Sequence, residues 1–257
     1  MRKKRIVIKV GSSTITHASG LLNLRKLDAL ACVLSDLRNQ GHEVLLVSSG
    51  AIAAGRGKMH LDRRPQTLEE KQALAAVGQC ELMYIYDKMF SQYSCSVAQL
   101  LITKEVDDDT LRRNVRGTID TLLAYRCIPI INENDSVATD EIVYGDNDTL
   151  SAITARLMSA DLLILLSDVD GLYERDPLLP KAKKLDVVHE IDDALMAMAG
   201  ESASDLGTGG MITKLQAGRI ATSAGCDMVI ASGEDPRILY DILDGTPCGT
   251  LFLARRE

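Results

Sequence analysis

The 257-residue chain contains no tryptophan, and aromatic residues make up only 4% of it. No segment approaches the roughly 18 consecutive apolar residues of a membrane-spanning helix. The basic run Arg2-Lys3-Lys4-Arg5 is followed by too few apolar residues for a signal peptide. We therefore expect a cytoplasmic protein that has no membrane partner. Its hydrophobic content of 46% suffices for a sizeable core.

Clustered metal-binding or redox residues are also lacking. The six cysteines contain no Cys-x-x-Cys pair, and the four histidines are dispersed along the chain. This distribution argues against a disulfide framework, a zinc site and a histidine-based mechanism. The net charge of −7 and the pI near 5.2 argue against a nucleic-acid partner, because neutralising a phosphate backbone requires clustered Lys and Arg.

What the chain does have is a regular alternation of apolar β-rich runs with helical patterns, which predicts a parallel sheet with helices on both faces. Without a linker or a composition break, one domain spanning residues 1–257 is expected. Gly78 interrupts a long helix, where another backbone should approach closely. The predicted strands are Ile6–Val10, Glu43–Ser48, Val97–Thr103, Ile128–Ile131, Asp161–Ser167 and Met228–Ala231. The predicted helices are Asn23–Asn39, Leu68–Ser91, Thr110–Tyr125, Thr149–Met158, Ile191–Met198 and Ile212–Ala224.

A glycine-rich motif near the C-terminus indicates a polyphosphate site. Residues 207–214, GTGGMITK, place three glycines and a threonine before a predicted helix that has Lys214 one turn inside it. Glycine lets backbone N–H groups approach an anion, and the helix N-terminus and the lysine add positive charge. The N-terminal segment supplies a second lysine and glycine, Lys9 and Gly11. Two phosphate-binding elements of this kind, at opposite ends of the chain, suggest a single composite site for a polyphosphate.

The carboxyl ends of the predicted strands are small and polar, and in open α/β sheets ligands collect at these ends. The polar groups are Gly11-Ser12-Ser13, Ser48-Ser49-Gly50, Asn132-Glu133-Asn134-Asp135 and Ser167-Asp168. Four such ends in register, together with the glycine loop, predict a functional site along this edge.

The segment Gly145-Asp146-Asn147-Asp148 before a predicted helix has three interpretations. Asp148 could be an N-cap beside the turn residue Asn147. Asp146 and Asp148 could hold a metal ion, although the residues that follow do not match an EF-hand. Alternatively, a helix-start aspartate could fix two lysines that converge on one phosphate and repel each other.

Taken together, the segments IVIKVGSS, LLVSSGAIAAG, INENDSVAT, VYGDND, LLSDVDGLY and GTGGMITKLQA resemble the amino acid kinase superfamily over essentially the whole chain. The resemblance is strongest to the members that phosphorylate the γ-carboxylate of L-glutamate in the first step of proline synthesis. It implies a three-layer α/β/α sandwich with a mainly parallel central sheet. It also implies that an N-terminal lobe binds the amino acid and that a C-terminal lobe binds ATP.

The resemblance also implies residue roles. Lys9 and Lys214 match the lysines that contact the transferring phosphoryl group, and Asp148 matches the aspartate that orients them. The implied glutamate site consists of Ser49, Gly50, Asp135 and Asn147, with Asp135 suited to the α-ammonium and Asn147 to the α-carboxylate. The implied nucleotide site consists of Lys9, Gly11, Ser167, Asp168, Thr208, Gly209, Gly210, Met211, Ile212, Thr213 and Lys214. Ser167 stands where a threonine is also common.

Further expectations follow from the resemblance. Mg²⁺ would arrive with the nucleotide without a dedicated protein site, L-proline would inhibit, and the protein would form a homodimer or homotetramer. The chain stops where longer members continue into a C-terminal PUA domain, so no such domain is expected. Relatives that act on aspartate, N-acetylglutamate, carbamate or UMP share the phosphate machinery. The acidic run at 132–135 disfavours UMP and an acetylated amine.

Two rivals from other classes remain open. A non-catalytic nucleotide-binding protein on the same fold would be favoured by loss of one of the two lysines, yet both are present. A dinucleotide-dependent oxidoreductase is disfavoured because no Gly-x-Gly-x-x-Gly follows the first strand.

Overall fold

The computed structural model of the protein describes residues 3–17, 19–103, 108–137, 147–175, 182–201 and 210–255. The strands in these ranges are β1 Arg5–Val10, β2 Glu43–Ser48, β3 Val97–Ile102, β4 Ile128–Glu133, β5 Leu162–Ser167, β6 Leu172–Tyr173, β7 Lys184–Leu185, β8 Val187–Val188, β9 Asp227–Ser232 and β10 Thr250–Phe252. The helices are α1 Ser12–Ile15, α2 Leu24–Asn39, α3 Ala51–Lys58, α4 Leu68–Ser91, α5 Asp109–Ala124, α6 Asn147–Leu157, α7 Asp193–Glu201, α8 Met211–Ser223 and α9 Ile238–Asp244.

Eight of the strands form one sheet in the order β3-β4-β2-β1-β5-β9-β10-β8. The first six strands in this order are mutually parallel, whereas β10 runs antiparallel to β9 and parallel to β8. β1 pairs with β2 on one side and with β5 on the other. The strand order therefore reverses at β1, and the carboxyl end of such a switch point is where open α/β sheets bind ligands.

Helices cover both faces of the sheet, so the predicted three-layer α/β/α sandwich with a mainly parallel sheet is confirmed. Successive side chains of a strand point to opposite faces. In β1, Ile6 and Ile8 pack with α2, α4 and α9, whereas Val7 packs with α5, α6 and α8. All three side chains are fully buried. Burial on both faces explains why the central strands are continuous apolar runs in the sequence.

Most predicted elements are observed to within a residue or two, and the differences fall mainly at the carboxyl edge of the sheet. Asn132 and Glu133, predicted to follow a strand, are the last residues of β4. The helix predicted to begin at Thr149 begins at Asn147. Pro129 is accommodated at the start of β4, where the ladder to β2 has not yet begun. The short elements α1, β6, β7, β8, α9 and β10 were not predicted.

α3 and α4 cross at two glycines, as the helix-internal Gly78 predicts. A Cβ atom on Gly78 would lie 1.7 Å from the backbone oxygen of Ala51, and one on Gly55 would lie 1.9 Å from that of Leu74. No side chain larger than hydrogen fits at either position without moving a backbone. The expected close approach at Gly78 is confirmed.

In the described part of the chain, no helix combines the length and the apolar character needed to cross a lipid bilayer.

Candidate functional site

Lys9 lies in the middle strand of the sheet, on the face that carries α6 and α8. Its neighbour Val7 is buried on that face, and the alternation along β1 places Lys9 on the same side. The lysine is only 8% exposed. A charged side chain this deep in a strand needs a partner of opposite charge.

That partner is Asp148, in the first turn of α6. Lys9 Nζ lies 2.6 Å from Asp148 Oδ1, and Lys214 Nζ donates to Asp148 Oδ2 over 3.3 Å. Lys214 is in the first turns of α8, as its place in the glycine motif predicts. We call Lys9, Asp148 and Lys214 the Lys–Asp–Lys cluster. It joins β1, α6 and α8 at the switch point of the sheet.

The electrostatics of the cluster favour a bound anion. Burial alone would raise the pKa of Asp148, which is completely inaccessible to solvent. The positive charges of Lys9 and Lys214 outweigh burial and hold that pKa below its usual value. The carboxylate is therefore ionised at neutral pH. Two ammonium groups share this one carboxylate, so the cluster carries excess positive charge that a phosphate oxygen can neutralise.

The contacts of Asp148 distinguish between its three interpretations. The carboxylate is inside α6 and bound to two lysines, so the lysine-anchoring role fits the structure and the N-cap role does not. The metal interpretation also required Asp146, which lies outside the described residues. In the part of the chain that the structure describes, no group of three or more His, Cys, Asp or Glu side chains is placed to hold a metal ion.

The start of α8 adds further polar groups beside the cluster. Gly210 is the N-cap residue of this helix, in an extended conformation with no side chain to cap the helix. Thr213 Oγ1 lies 2.8 Å from Gly210 O and 3.3 Å from Asp148 Oδ2. The open backbone N–H groups of a helix N-terminus favour an anion. Thr208 and Gly209, the other predicted nucleotide contacts of this motif, lie outside the described residues.

A cavity of about 670 Å³ lies next to the cluster. All four predicted amino-acid contacts, Ser49, Gly50, Asp135 and Asn147, line it. Gly50 is the N-cap residue of α3 and has a φ of 100°, a conformation that residues with a side chain adopt only with strain. Other lining residues are mostly polar or basic: Ser12, Ser13, His17, Arg56, Arg64 and Lys71. The volume suits a small metabolite.

Asp135 is the lining residue with the most perturbed acidity. Burial, and then the neighbouring charge of Glu133, raise the pKa of Asp135 to about 6. Glu133 is itself 3% exposed, and its Oε2 atom is buried with no hydrogen-bond partner in the described part of the chain. Two acidic groups in one low-dielectric corner create a negative potential. This end of the cavity therefore favours a cationic group.

A network of buried side-chain amides lies beneath the cavity. Asn147 Nδ2 lies 3.0 Å from Ser48 O, 2.9 Å from Ser49 Oγ and 2.8 Å from Asn132 Oδ1, so these three acceptors share its two hydrogens. Asn132 Nδ2 in turn donates to Gln79 Oε1 over 2.8 Å. The network joins α6, β2, β4 and α4. It fixes the side chain of Asn147, one residue before Asp148.

On the other side of β1, the predicted nucleotide contacts Ser167 and Asp168 lie at the carboxyl end of β5. Ser167 Oγ donates to Asp168 Oδ1 over 2.9 Å, and Gly233 N donates to Ser167 O over 2.6 Å. Ser167 is buried and Asp168 is exposed. Asp168 can therefore meet a ligand at the surface while Ser167 is held in place.

The sequence did not identify every member of the site. Gln79 was not predicted, although one signal was available. It lies in the buried stripe of α4 formed with Ala75, Leu82 and Tyr86, where a polar residue at helical spacing is out of place. Asn132 was in the predicted polar run, but its role as a bridge between Gln79 and Asn147 depends on tertiary packing.

Three comparisons place the chain among known proteins. The profile of the amino acid kinase family matches residues 4–232. A glutamate 5-kinase of Clostridium perfringens is 51% identical over 98% of this chain and 96% of its own length, and one of Clostridium acetobutylicum is 52% identical over the same shares.

Among solved structures, carbamate kinase from Giardia lamblia bound to AMP-PNP superposes with a TM-score of 0.70 at 17% identity, covering 98% of this chain and 99% of the other. UMP kinase from Ureaplasma parvum gives a TM-score of 0.66 at 16% identity, covering 98% of this chain and all of the other. At such identities these two structures support the fold alone.

Proposed function

This chain belongs to the amino acid kinase family, and we propose that its Lys–Asp–Lys cluster is the centre at which it transfers a phosphoryl group. Its activity is that of the glutamate 5-kinases to which it is about half identical over nearly its whole length. It uses ATP to phosphorylate the γ-carboxylate of L-glutamate, in proline biosynthesis. The observation that carries the proposed centre is the pair of lysine ammonium groups on one fully buried carboxylate.

The chemistry requires positioning and positive charge rather than a base. The γ-carboxylate of glutamate has a reference pKa of about 4.3 and is already ionised at neutral pH. Its oxygen can therefore attack the γ-phosphorus of ATP without a base, while the bond from that phosphorus to the bridging oxygen breaks and ADP leaves. The obstacle is the repulsion between this anion and a polyphosphate. Lys9 and Lys214 lower this electrostatic repulsion, and they stabilise the negative charge that spreads over the transferring phosphoryl group. Asp148 holds both ammonium groups at fixed positions, so little reorganisation is needed during the reaction.

The cavity supplies the amino-acid side of the proposed site. Asn147 lines the cavity, and its neighbour Asp148 anchors the lysines. A ligand in the cavity can therefore extend one end towards the cluster. We assign the acidic corner at Asp135 to binding of the α-ammonium group of glutamate. We assign Ser49 and Gly50 to further contacts with the same glutamate molecule. The lining cations Arg56, Arg64 and Lys71 match the negative charge of a dicarboxylate.

The nucleotide side would be formed by Gly11, Ser167, Asp168 and the start of α8 from Gly210 to Lys214, together with Thr208 and Gly209. The residues of the site suit a Mg²⁺ ion that is held by the phosphates of ATP and not by Asp148, because Asp148 already forms ion pairs with two lysines. When bound, the ion would neutralise phosphate charge. We also propose, from the resemblance alone, a cytoplasmic homo-oligomer that L-proline inhibits.

An assay of ADP release tests the proposed acceptor. The protein is incubated with ATP and Mg²⁺ and with L-glutamate, L-aspartate or N-acetyl-L-glutamate, and hydroxylamine traps the acyl phosphate. We expect turnover with L-glutamate and none with the other two, and we expect L-proline to lower the initial rate. Turnover with a different acceptor would refute the assignment of the cavity, and inactivity with all three would favour a non-catalytic nucleotide-binding protein.

The acidity of Asp135 predicts a pH-dependent KM for L-glutamate. Below its pKa of about 6 the group is protonated and loses the charge that attracts an ammonium. We expect KM to be constant above about pH 7 and to rise about tenfold by pH 5, because about one Asp135 in ten is then ionised. The KM for ATP should change less.

Initial rates between pH 5 and 8 measure this dependence, and Asp135→Asn provides the control. The variant should have a raised KM at pH 7.5 that no longer changes down to pH 5. If the KM of Asp135→Asn followed the pH as in the unmodified protein, another group would be responsible.

A further inference from the structure

The orientation of the Asn147 amide is determined by a backbone group. Its Nδ2 atom lies within 3.0 Å of Ser48 O, and a carbonyl oxygen can only accept a hydrogen bond. The nitrogen must therefore face β2, where Ser49 Oγ and Asn132 Oδ1 are also close. Turning the amide over would place two oxygens against each other. This constraint also determines the position of the amide oxygen, Oδ1.

The orientation of Asn132 is determined in the same way. Its Oδ1 accepts the backbone N–H of Glu133 over 2.9 Å, in addition to Asn147 Nδ2. Because an N–H group can only donate, the oxygen must be on this side, and Nδ2 must face α4. There it donates to Gln79 Oε1. Gln79 is 8% exposed and therefore supplies a buried acceptor for a buried donor.

One atom of this network is left over. Asn147 Oδ1 is buried and has no hydrogen-bond partner among the residues that the structure describes, although Asn147 lines the cavity. A buried carbonyl without a donor is costly, and unsatisfied groups of this kind occur where a ligand completes the bonding. What Asn147 can offer a ligand is an acceptor, because its donor is already used inside the protein.

We infer that Gln79 is a positioning residue for the amino-acid substrate: through Asn132 it holds Asn147 so that Oδ1 accepts from the α-ammonium group. This inference rests on the proposed function of the cavity and refines it. An ammonium group has three donors, and Asp135 in the same cavity is an acceptor of matching charge. The α-carboxylate is then bound by the cations Arg56, Arg64 and Lys71. The sequence alone had suggested Asn147 for this role.

Removing the acceptor of Gln79 tests the inference. Gln79→Met keeps the length of the side chain but leaves Asn132 Nδ2 with no acceptor, so Asn132 and Asn147 are no longer held. We expect KM for L-glutamate to rise about tenfold, with kcat within about threefold and KM for ATP unchanged, because the loss of one buried acceptor is a modest effect confined to this site. Gln79→Glu, which retains an acceptor oxygen, should bring KM back to within about threefold of the original value.

A deaminated analogue separates the ammonium from the carboxylates. Glutarate has both carboxylates of glutamate and no amino group, and its Ki as a competitive inhibitor against L-glutamate is measured for each protein. Gln79→Met should leave this Ki within about twofold, since glutarate has no donor for Asn147 Oδ1. Gln92→Met, the same change at the exposed end of α4, is the matched control and should alter neither constant.

Two results would overturn the inference. An equal rise of the KM for L-glutamate and the Ki for glutarate would mean that the amide network serves the carboxylates, and an unchanged KM would mean that Gln79 has no positioning role. If Gln79→Met did not fold, Gln79→Ala removes the same acceptor without placing an apolar group against Asn132, and it has the same expected outcome. Failure of the proposed function is distinguishable, because the unmodified protein would then not turn over L-glutamate.

Discussion

Replacing Lys214 with methionine is expected to lower kcat by about a thousandfold while the protein stays folded. Methionine has nearly the length of lysine and suits a position that is 5% exposed. Asp148 keeps its partner Lys9 at 2.6 Å, so the variant does not leave this carboxylate unpaired. The variant loses the stabilisation that the Lys214 charge gives to the transition state. Removing one fixed donor or cation from a transferring group lowers the rate by a factor of about 10² to 10⁵.

The measurement is kcat at saturating ATP and L-glutamate, together with the melting temperature. Lys58→Met is the matched control, since Lys58 pairs with Glu81 at the surface of α3 and is half exposed. It should change neither quantity appreciably. A Lys214→Met protein with kcat within tenfold of the original would exclude Lys214 from phosphoryl transfer.

Replacing Asp148 with asparagine is expected to impair both stability and catalysis. The amide has the same shape but no charge, so Lys9 and Lys214 repel each other in a site that excludes water. Breaking a buried ion pair by removing one partner costs about 3–5 kcal/mol of folding free energy. We expect a loss of this size in the free energy of unfolding at pH 7, and a kcat reduced by orders of magnitude because neither ammonium group keeps its position.

The pH dependence of this loss has a definite sign. The folded-state pKa of Asp148 lies below its unfolded value, so the carboxylate contributes stability above that unfolded value, about 3.9 for an aspartate. The contribution disappears as the pH falls through the folded pKa. The difference in unfolding free energy between the two proteins should therefore be full at pH 7 and shrink below about pH 4.

Urea unfolding at several pH values measures the difference, and Asp120→Asn serves as the control. Asp120 forms surface ion pairs with Arg5 and Arg116 and is 43% exposed, so its loss should cost less than about 1 kcal/mol. If Asp148→Asn were no less stable than Asp120→Asn at pH 7, the two lysines would not depend on Asp148 for their charge balance.

Much of the fold follows from local patterns in the sequence. The boundaries of α4 and β2 are predicted to the residue, because α4 has a long helical pattern and β2 is a continuous apolar run. The short elements at the far edge of the sheet were not predicted. β8 and β10 are two and three residues long, and they exist only because each pairs with a partner distant in the chain.

The site shows the same division between local and tertiary information. Lys9, Lys214 and the polar strand ends are visible in the sequence because they lie beside glycines or at the ends of apolar runs. The anchoring role of Asp148 was one interpretation of three, because a helix-start aspartate also suits a cap. The polar character of Gln79 within an apolar helix stripe was visible in the sequence, but its contact with Asn132 was not. That contact, and an Asn147 Oδ1 atom with no partner among the described residues, depend on which groups the fold brings together.

The glycine crossing of α3 and α4 limits how the protein can move. The backbones touch at Gly55 and Gly78, so the two helices cannot slide past each other without first separating. α3 begins at the cavity and α4 carries Gln79. Because the two helices are held together at the crossing, this wall of the cavity is a single rigid body. Any closure around a bound amino acid must therefore come from the opposite wall, and the amide protons of α3 and α4 should exchange as one cooperative unit.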